Sequence, residues 1–297
     1  MNASEFGKLP KSVTTSYGEI AYVEKGEGPV ALFVHGVLLN GYLWRDAIEN
    51  LSDTRRCIAV DILGHGQTKT PAGADMSFGA QAGMLAAFID ALGIDQVDLV
   101  ANDSGGGISQ IFAANNPGRI RSLVLTNCDT HDNYPPKALD ALFGIVKAGG
   151  LGAFGKQMLE NGDVARGAFA VAYEDAAFLS DDLIHTYLEP LMADEGSVQN
   201  LTNFLLQNED NSQNVRIEPK LRELQAPALI LWGTDDIFFD VKWAHWLGER
   251  LPNSRVVEAP GARLFFPEER PGYFASEVRE FWEGVDSGAA SRASAVA

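Results

Sequence analysis

The chain has 297 residues, 46% of them apolar, enough to bury the core of one large α/β domain or of such a domain with an inserted lid. A formal charge of −17 excludes nucleic acid and anionic membrane as natural partners, since both are themselves negative, and leaves small neutral or cationic molecules. Only Cys57 and Cys128 could pair, which argues against a disulfide framework and for a reducing, cytoplasmic setting.

From the N-terminus, MNASEFGKLPKSV lacks the basic-then-apolar order of a secretory leader. No stretch approaches the ~20 apolar residues that a bilayer span needs. Short aliphatic runs then recur as EIAYVEKG, VALFVHG, RCIAVDILG, VDLVAND, SLVLTNCD, PALILWG and SRVVEAP, with helical patterns such as SFGAQAGMLAAFIDALG and VKWAHWLGERLP between most of them. Strands that alternate with helices predict parallel pairing and right-handed crossovers, hence a mostly parallel, doubly wound α/β sheet. The alternation stops between about Asp132 and Pro227, where PPKALDALFGIVKAGG, AFGKQMLENGDVARGAFAVAY and SDDLIHTYLEPLMA read as helices, the last capped by Ser180 or Asp181 and running toward Pro190. We expect a core domain over 1–131 and 228–284, a helical lid over 132–227 above the carboxyl ends of the strands, and a disordered tail over 285–297.

The segment VANDSGGG joins a buried strand to an amphipathic helix and offers two nucleophiles side by side, Asp103 and Ser104. A side chain thrust out at such a strained bend needs small neighbours two positions away on each side. Around Asp103 these are Ala101 and Gly105; around Ser104 they are Asn102 and Gly106, and Asn102 is bulky. The spacing favours Asp103 at the tip, against the blander reading that the pair merely caps the helix.

Together, FVHGVLLNGYLWRDAIENL, AVDILGHGQTKTP, VANDSGGG and LWGTDDIFF resemble the α/β-hydrolase fold. More narrowly they resemble its aspartate-nucleophile branch of haloalkane dehalogenases and epoxide hydrolases, over about Tyr17 to Trp282. The resemblance implies Asp103 as nucleophile, backbone N–H groups of Val37 and Ser104 as oxyanion donors, and Asp236 as the acid, with Asp235 or Asp129 as lesser alternatives. His35 and His65 become loop-fixing residues. No cofactor or metal is implied.

One residue breaks the pattern. Aligning the family's last motif on APGARLFFPEERP puts Leu264 where the histidine belongs, and no histidine follows Pro252. Imidazole activates the water that attacks the alkyl-enzyme ester, worth about 10²–10⁴-fold, and leucine supplies none of it. Such an enzyme should alkylate once and stall. Either the histidine was deliberately replaced, another residue is the base, or the chemistry is not hydrolytic. His131 in TNCDTHDNYPP is the best substitute base, although a loop histidine held by Asp129 or Asp132 is the plainer reading. Cys128, Asp129, His131 and Asp132 are too compressed for a zinc set. His185 and His245 read as surface or packing residues.

Substrate signals are thin as well. Val37 and Ser104 stand where dehalogenases place halide-binding asparagine and tryptophan. Leu38 replaces the proline of epoxide hydrolases, whose lid tyrosines could correspond to Tyr173 or Tyr187. The leading expectation is a hydrolase-type enzyme acting through Asp103 on a small, mostly apolar molecule. Its rivals are a proton-transfer isomerase or lyase, a ligand-binding pseudoenzyme, and an esterase built on Ser104.

Overall fold

Seven of those aliphatic runs become strands of one eight-stranded sheet: β2 (Gly18–Lys25), β3 (Val30–Val34), β4 (Arg56–Val60), β5 (Val97–Asp103), β6 (Ile120–Cys128), β7 (Ala228–Gly233) and β8 (Ser254–Ala259). The eighth, β1 (Lys11–Thr15), is an edge strand absent from those runs; its mostly exposed residues show no apolar alternation. The computed structural model describes residues 6, 7, 9–210 and 212–288. Most of the expected tail and part of the N-terminal stretch therefore lie outside the described residues.

The sheet order is β1-β2-β4-β3-β5-β6-β7-β8, antiparallel at β1–β2 and β2–β4 and parallel from β4 onward. Helices α1 (Arg45–Leu51), α2 (Phe78–Ala91) and α3 (Ser104–Asn115) make the first crossovers. Covered on both faces, β5 and β7 are buried at every residue, which is why both read as continuous apolar runs.

Between β6 and β7 the described residues form helices and no strand: α4 (Asp140–Lys147), α5 (Leu151–Glu160), α6 (Gly162–Phe169), α7 (Asp181–Met192), α8 (Glu195–Gln207), α9 (Ser212–Arg216) and α10 (Glu218–Leu221). The Ser180 side chain caps α7 by accepting the Leu183 N–H at 3.2 Å, and the helix continues past Pro190 to Met192. After β7 come α11 (Lys242–Gly248), α12 (Phe266–Glu269) and α13 (Pro271–Asp286), which places residues 285 and 286 in a helix rather than in the expected tail. Among the described residues no single helix is long and apolar enough to cross a membrane.

The helical segment is bonded to the sheet domain in several places, among them Asn40 Nδ2 to Thr186 O and the Phe78 N–H to Asn208 Oδ1, and along a seam at residues 170–175. Phe265 N–H donates to Ala172 O at 3.2 Å, Arg263 Nη1 to Tyr173 O at 3.0 Å, and Glu269 accepts the backbone N–H groups of Glu174 and Asp175. Beneath this seam Glu268 is wholly buried, accepting from Arg45 Nη1, from Tyr187 Oη at 2.5 Å and from Tyr173 Oη at 2.9 Å. By contrast, the side-chain ion pairs of α4 and α5 go to Glu209 and Glu160, inside the helical segment itself.

Candidate active site

At the end of β5 the backbone of Asp103 takes φ 54° and ψ −137°, a conformation that non-glycine residues rarely adopt, and α3 starts at the next residue. Two glycines let the bend exist. A methyl group on Gly105 would sit 2.4 Å from His35 O, and one on Gly36 would lie 2.2 Å from Asp103 Oδ2. The small residue at Gly105 thus lets the helix meet β3, and Asp103 stands at the tip.

Asp103 forms part of the lining of a cavity of about 300 Å³ between the sheet and the helical segment. Every other residue lining it is apolar, among them Val37, Leu142, Phe154, Phe238 and Leu264. Burial pushes the Asp103 carboxyl up to about 7; the Ser104 N–H opposes this, the Asp236 charge adds to it, and the Val37 N–H opposes it again. The two amides expected as oxyanion donors therefore both act on this carboxyl.

Asp236 is buried behind the cavity wall, its Oδ2 accepting from Asn127 Nδ2 and its Oδ1 from the Phe238 N–H, both at 2.8 Å. Burial raises it to about 7 as well. The neighbouring Asp235 is exposed and takes only the Thr234 hydroxyl. Leu264, 4% exposed, faces the cavity, and its carbonyl accepts from Asn102 Nδ2 at 2.9 Å. Asn102, bulky in the strand sequence, thus binds the loop that carries Leu264 to the strand that carries Asp103, a role nothing in its local sequence announces.

All five histidines are among the described residues and none lines the cavity. His35 is buried with Nδ1 2.8 Å from Gly36 O and Nε2 accepting the Ile62 N–H; burial lowers it to about 3, so it stays neutral and holds the loop. His65 is buried likewise and lowered to about 4. The expectation for His131 needs correction. Its ring packs on Trp246 with centroids 4.7 Å apart and reaches Asp132 and Glu218 at 3.3 and 3.4 Å, so aromatic stacking and surface carboxylates hold it away from the cavity. His185 and His245 pair with Glu189 and Glu258 on the surface. Tyr173 and Tyr187 also change role, because both hydroxyls are committed to Glu268 and neither lines the cavity.

Two groups near the elbow carry no imidazole partner either. The Ser104 hydroxyl is buried with no hydrogen-bond partner, and so are both carboxyl oxygens of Asp129, the residue after β6. In the sequence Asp129 is no more than a lesser candidate for the acid; its isolation is visible only in three dimensions.

The alpha/beta hydrolase fold family model matches residues 29–271. Haloalkane dehalogenase 2 of Mycobacterium tuberculosis is 28% identical over 276 residues, covering 90% of this chain and 92% of its own. A cis-3-alkyl-4-alkyloxetan-2-one decarboxylase of Shewanella oneidensis is 26% identical over 285 residues, covering 89% and 85%. The structure of a putative ancestral haloalkane dehalogenase superposes with a TM-score of 0.76 at 23% identity, covering 93% of this chain and 99% of that one.

Proposed function

The chain belongs to the α/β hydrolase fold family, and on that premise we propose that it is an enzyme whose Asp103 acts on a small, largely apolar, uncharged substrate in a reaction that turns over without an attacking water. One observation carries the reading. Among the described residues Asp103 is the single polar side chain on an otherwise apolar cavity, and Leu264, at the position where the resemblance expects the base, is part of its apolar wall. Residues 132–227 act as the lid that keeps this cavity dry.

In such surroundings proton transfer is the simplest chemistry. A carboxyl near 7 can both take and return a proton at neutral pH, and no water needs activating. Ionised, it would remove a proton from a carbon or oxygen acid; protonated, it would return the proton at a second position. That describes an isomerase or a lyase.

A second reading has Asp103 as covalent nucleophile, favoured by the Val37 and Ser104 amides that address its carboxyl. It also avoids hydrolysis on a strained lactone of the kind that the Shewanella relative's name records. Attack at the ring C–O carbon would open the ring to an Asp103 ester bearing a free carboxylate. Loss of carbon dioxide would then send its electron pair into a new C=C bond and expel the Asp103 carboxylate. The cycle closes with no base.

The test offers short haloalkanes, epoxides, dialkyl oxetan-2-ones and nitrophenyl esters in water labelled at oxygen. Proton-transfer or elimination products should carry no label and should vanish in Asp103→Asn. Haloalkanes should leave at most one adduct per protein, seen by intact mass. Multiple turnovers of labelled alcohol or diol would overturn the proposal. Leu264→His should then speed release of any adduct by about 10²–10⁴-fold.

A further inference from the structure

Asp129 has no part in the chemistry above, yet it lies beside it. Its backbone N–H donates to Asp103 O at 3.3 Å, and its neighbour Cys128 is the sheet partner of Asp103. Its side chain, 1% exposed, is walled in by α3, where a methyl on Gly107 would touch its Cβ at 3.0 Å, and it is absent from the cavity lining.

A buried carboxylate without donors costs far more than a neutral carboxylic acid in the same place. Neither oxygen of Asp129 has a hydrogen-bond partner in the protein. Asp103, by contrast, has the Ser104 and Val37 amides. The Ser104 hydroxyl lies near enough to favour the charged form of both carboxyls while being bonded to neither. Two carboxyls this close and this dry do not both ionise, and the one with donors takes the charge.

We propose that Asp103, Ser104 and Asp129 form one buried unit holding a single proton over two carboxyl groups near neutral pH, with Asp129 the protonated member, so that Asp103 meets the cavity as the anion. Asp129 is a positioning residue here, acting through Asp103 rather than on substrate. This differs from the role of a triad acid, which would serve an imidazole. The inference rests on Asp103 being the acting group, but it does not depend on which substrate is used.

Burial and the Asp103 charge both push Asp129 well above the usual carboxyl range, and only the Ser104 hydroxyl opposes them. The other titratable groups facing the unit are Cys128 and Tyr134, both raised well above their ordinary values and so neutral around pH 7, and Asp236, which acts on Asp103 and is itself raised to about 7.

Carboxyl-carbon NMR on aspartate-labelled full-length protein tests the unit without any substrate. Asp129 should keep its protonated shift at pH values where Asp103 has already ionised. Asp103→Asn should lower the pH at which Asp129 ionises by about one unit or more. Ser104→Ala should raise both transitions. An Asp129 that is ionised at neutral pH, or whose transition ignores Asp103→Asn, overturns the proposal, and transitions untouched by Ser104→Ala overturn the part given to the hydroxyl. Should a variant fail to fold, the wild-type curves decide, since coupled groups titrate in two linked steps and independent ones do not. A linked pair in a protein with no chemistry at Asp103 would sink the proposed function alone. Unlinked aspartates beside intact chemistry would sink only this inference.

Discussion

Strand β5 carries a buried aspartate near each end, and the two have opposite surroundings. At the foot, Asp98 accepts from Arg55 Nε at 2.9 Å, from Arg121 Nη1 at 2.5 Å and from Ser122 Oγ at 2.6 Å, and Asp286 shares both arginines. At the tip, Asp103 has two backbone amides and no cation, and a second carboxyl is close by. Burial is nearly equal, 0% against 5%. Partners separate them: an aspartate surrounded by arginines holds the fold, and one left almost bare fits the chemistry proposed for it.

The sharpest way to break this contrast is Asp98→Asn. It takes the buried carboxylate from two arginines and leaves them only the part-exposed Asp286, so unfolding in urea should show a loss of about 3 kcal/mol. Glu268 should side with Asp98, being a buried acid with full partners. Tyr187→Phe removes one charge-assisted bond and should cost roughly 1.5–3 kcal/mol.

Asp103→Asn should run the other way. The folded pKa of Asp103, about 7, lies above its ordinary value of 3.8, so the fold binds the proton more tightly than the unfolded chain does. That contribution is complete below about pH 4 and is lost as pH rises through about 7. The variant, neutral throughout, should be more stable at pH 8 by roughly 1–2 kcal/mol, within the limit set by ~1.4 kcal/mol per pH unit. Its stability should also fall less steeply between pH 4 and 7. A variant less stable than the parent at pH 8 would place Asp103 with Asp98. The smallest change is expected from His131→Gln. It should leave any Asp103-dependent rate within about twofold, as suits a ring held among Trp246, Asp132 and Glu218.

Local pattern made the sheet, the helical stretch before β7 and the elbow legible. Fully buried strands such as β7 need continuous apolar runs, and the bend at Asp103 needs small residues at Ala101 and Gly105. Leu264 does line the cavity, in the loop after β8 where the motif's neighbours put it. The Glu268 cluster was not legible. Arg45, Tyr173, Tyr187 and Glu268 are scattered over more than two hundred residues and meet only when the chain folds. His131 misled for a related reason: its place in the chain puts it at the rim, but φ 51° and two tryptophans from α11 decide where its ring points. The edge strand β1 lacked the alternation that a half-buried strand displays.

The seam at residues 170–175 fastens one flank of the roof, while α4 and α5 reach the cavity with side chains such as Leu142, Ile145, Phe154 and Met158. Those aliphatic and aromatic teeth can be exchanged for longer or shorter ones without disturbing a charge, a cap or a strand. Drift or a directed library could thus retune which molecules the chamber admits while the Asp103 carboxyl beneath it stays as it is.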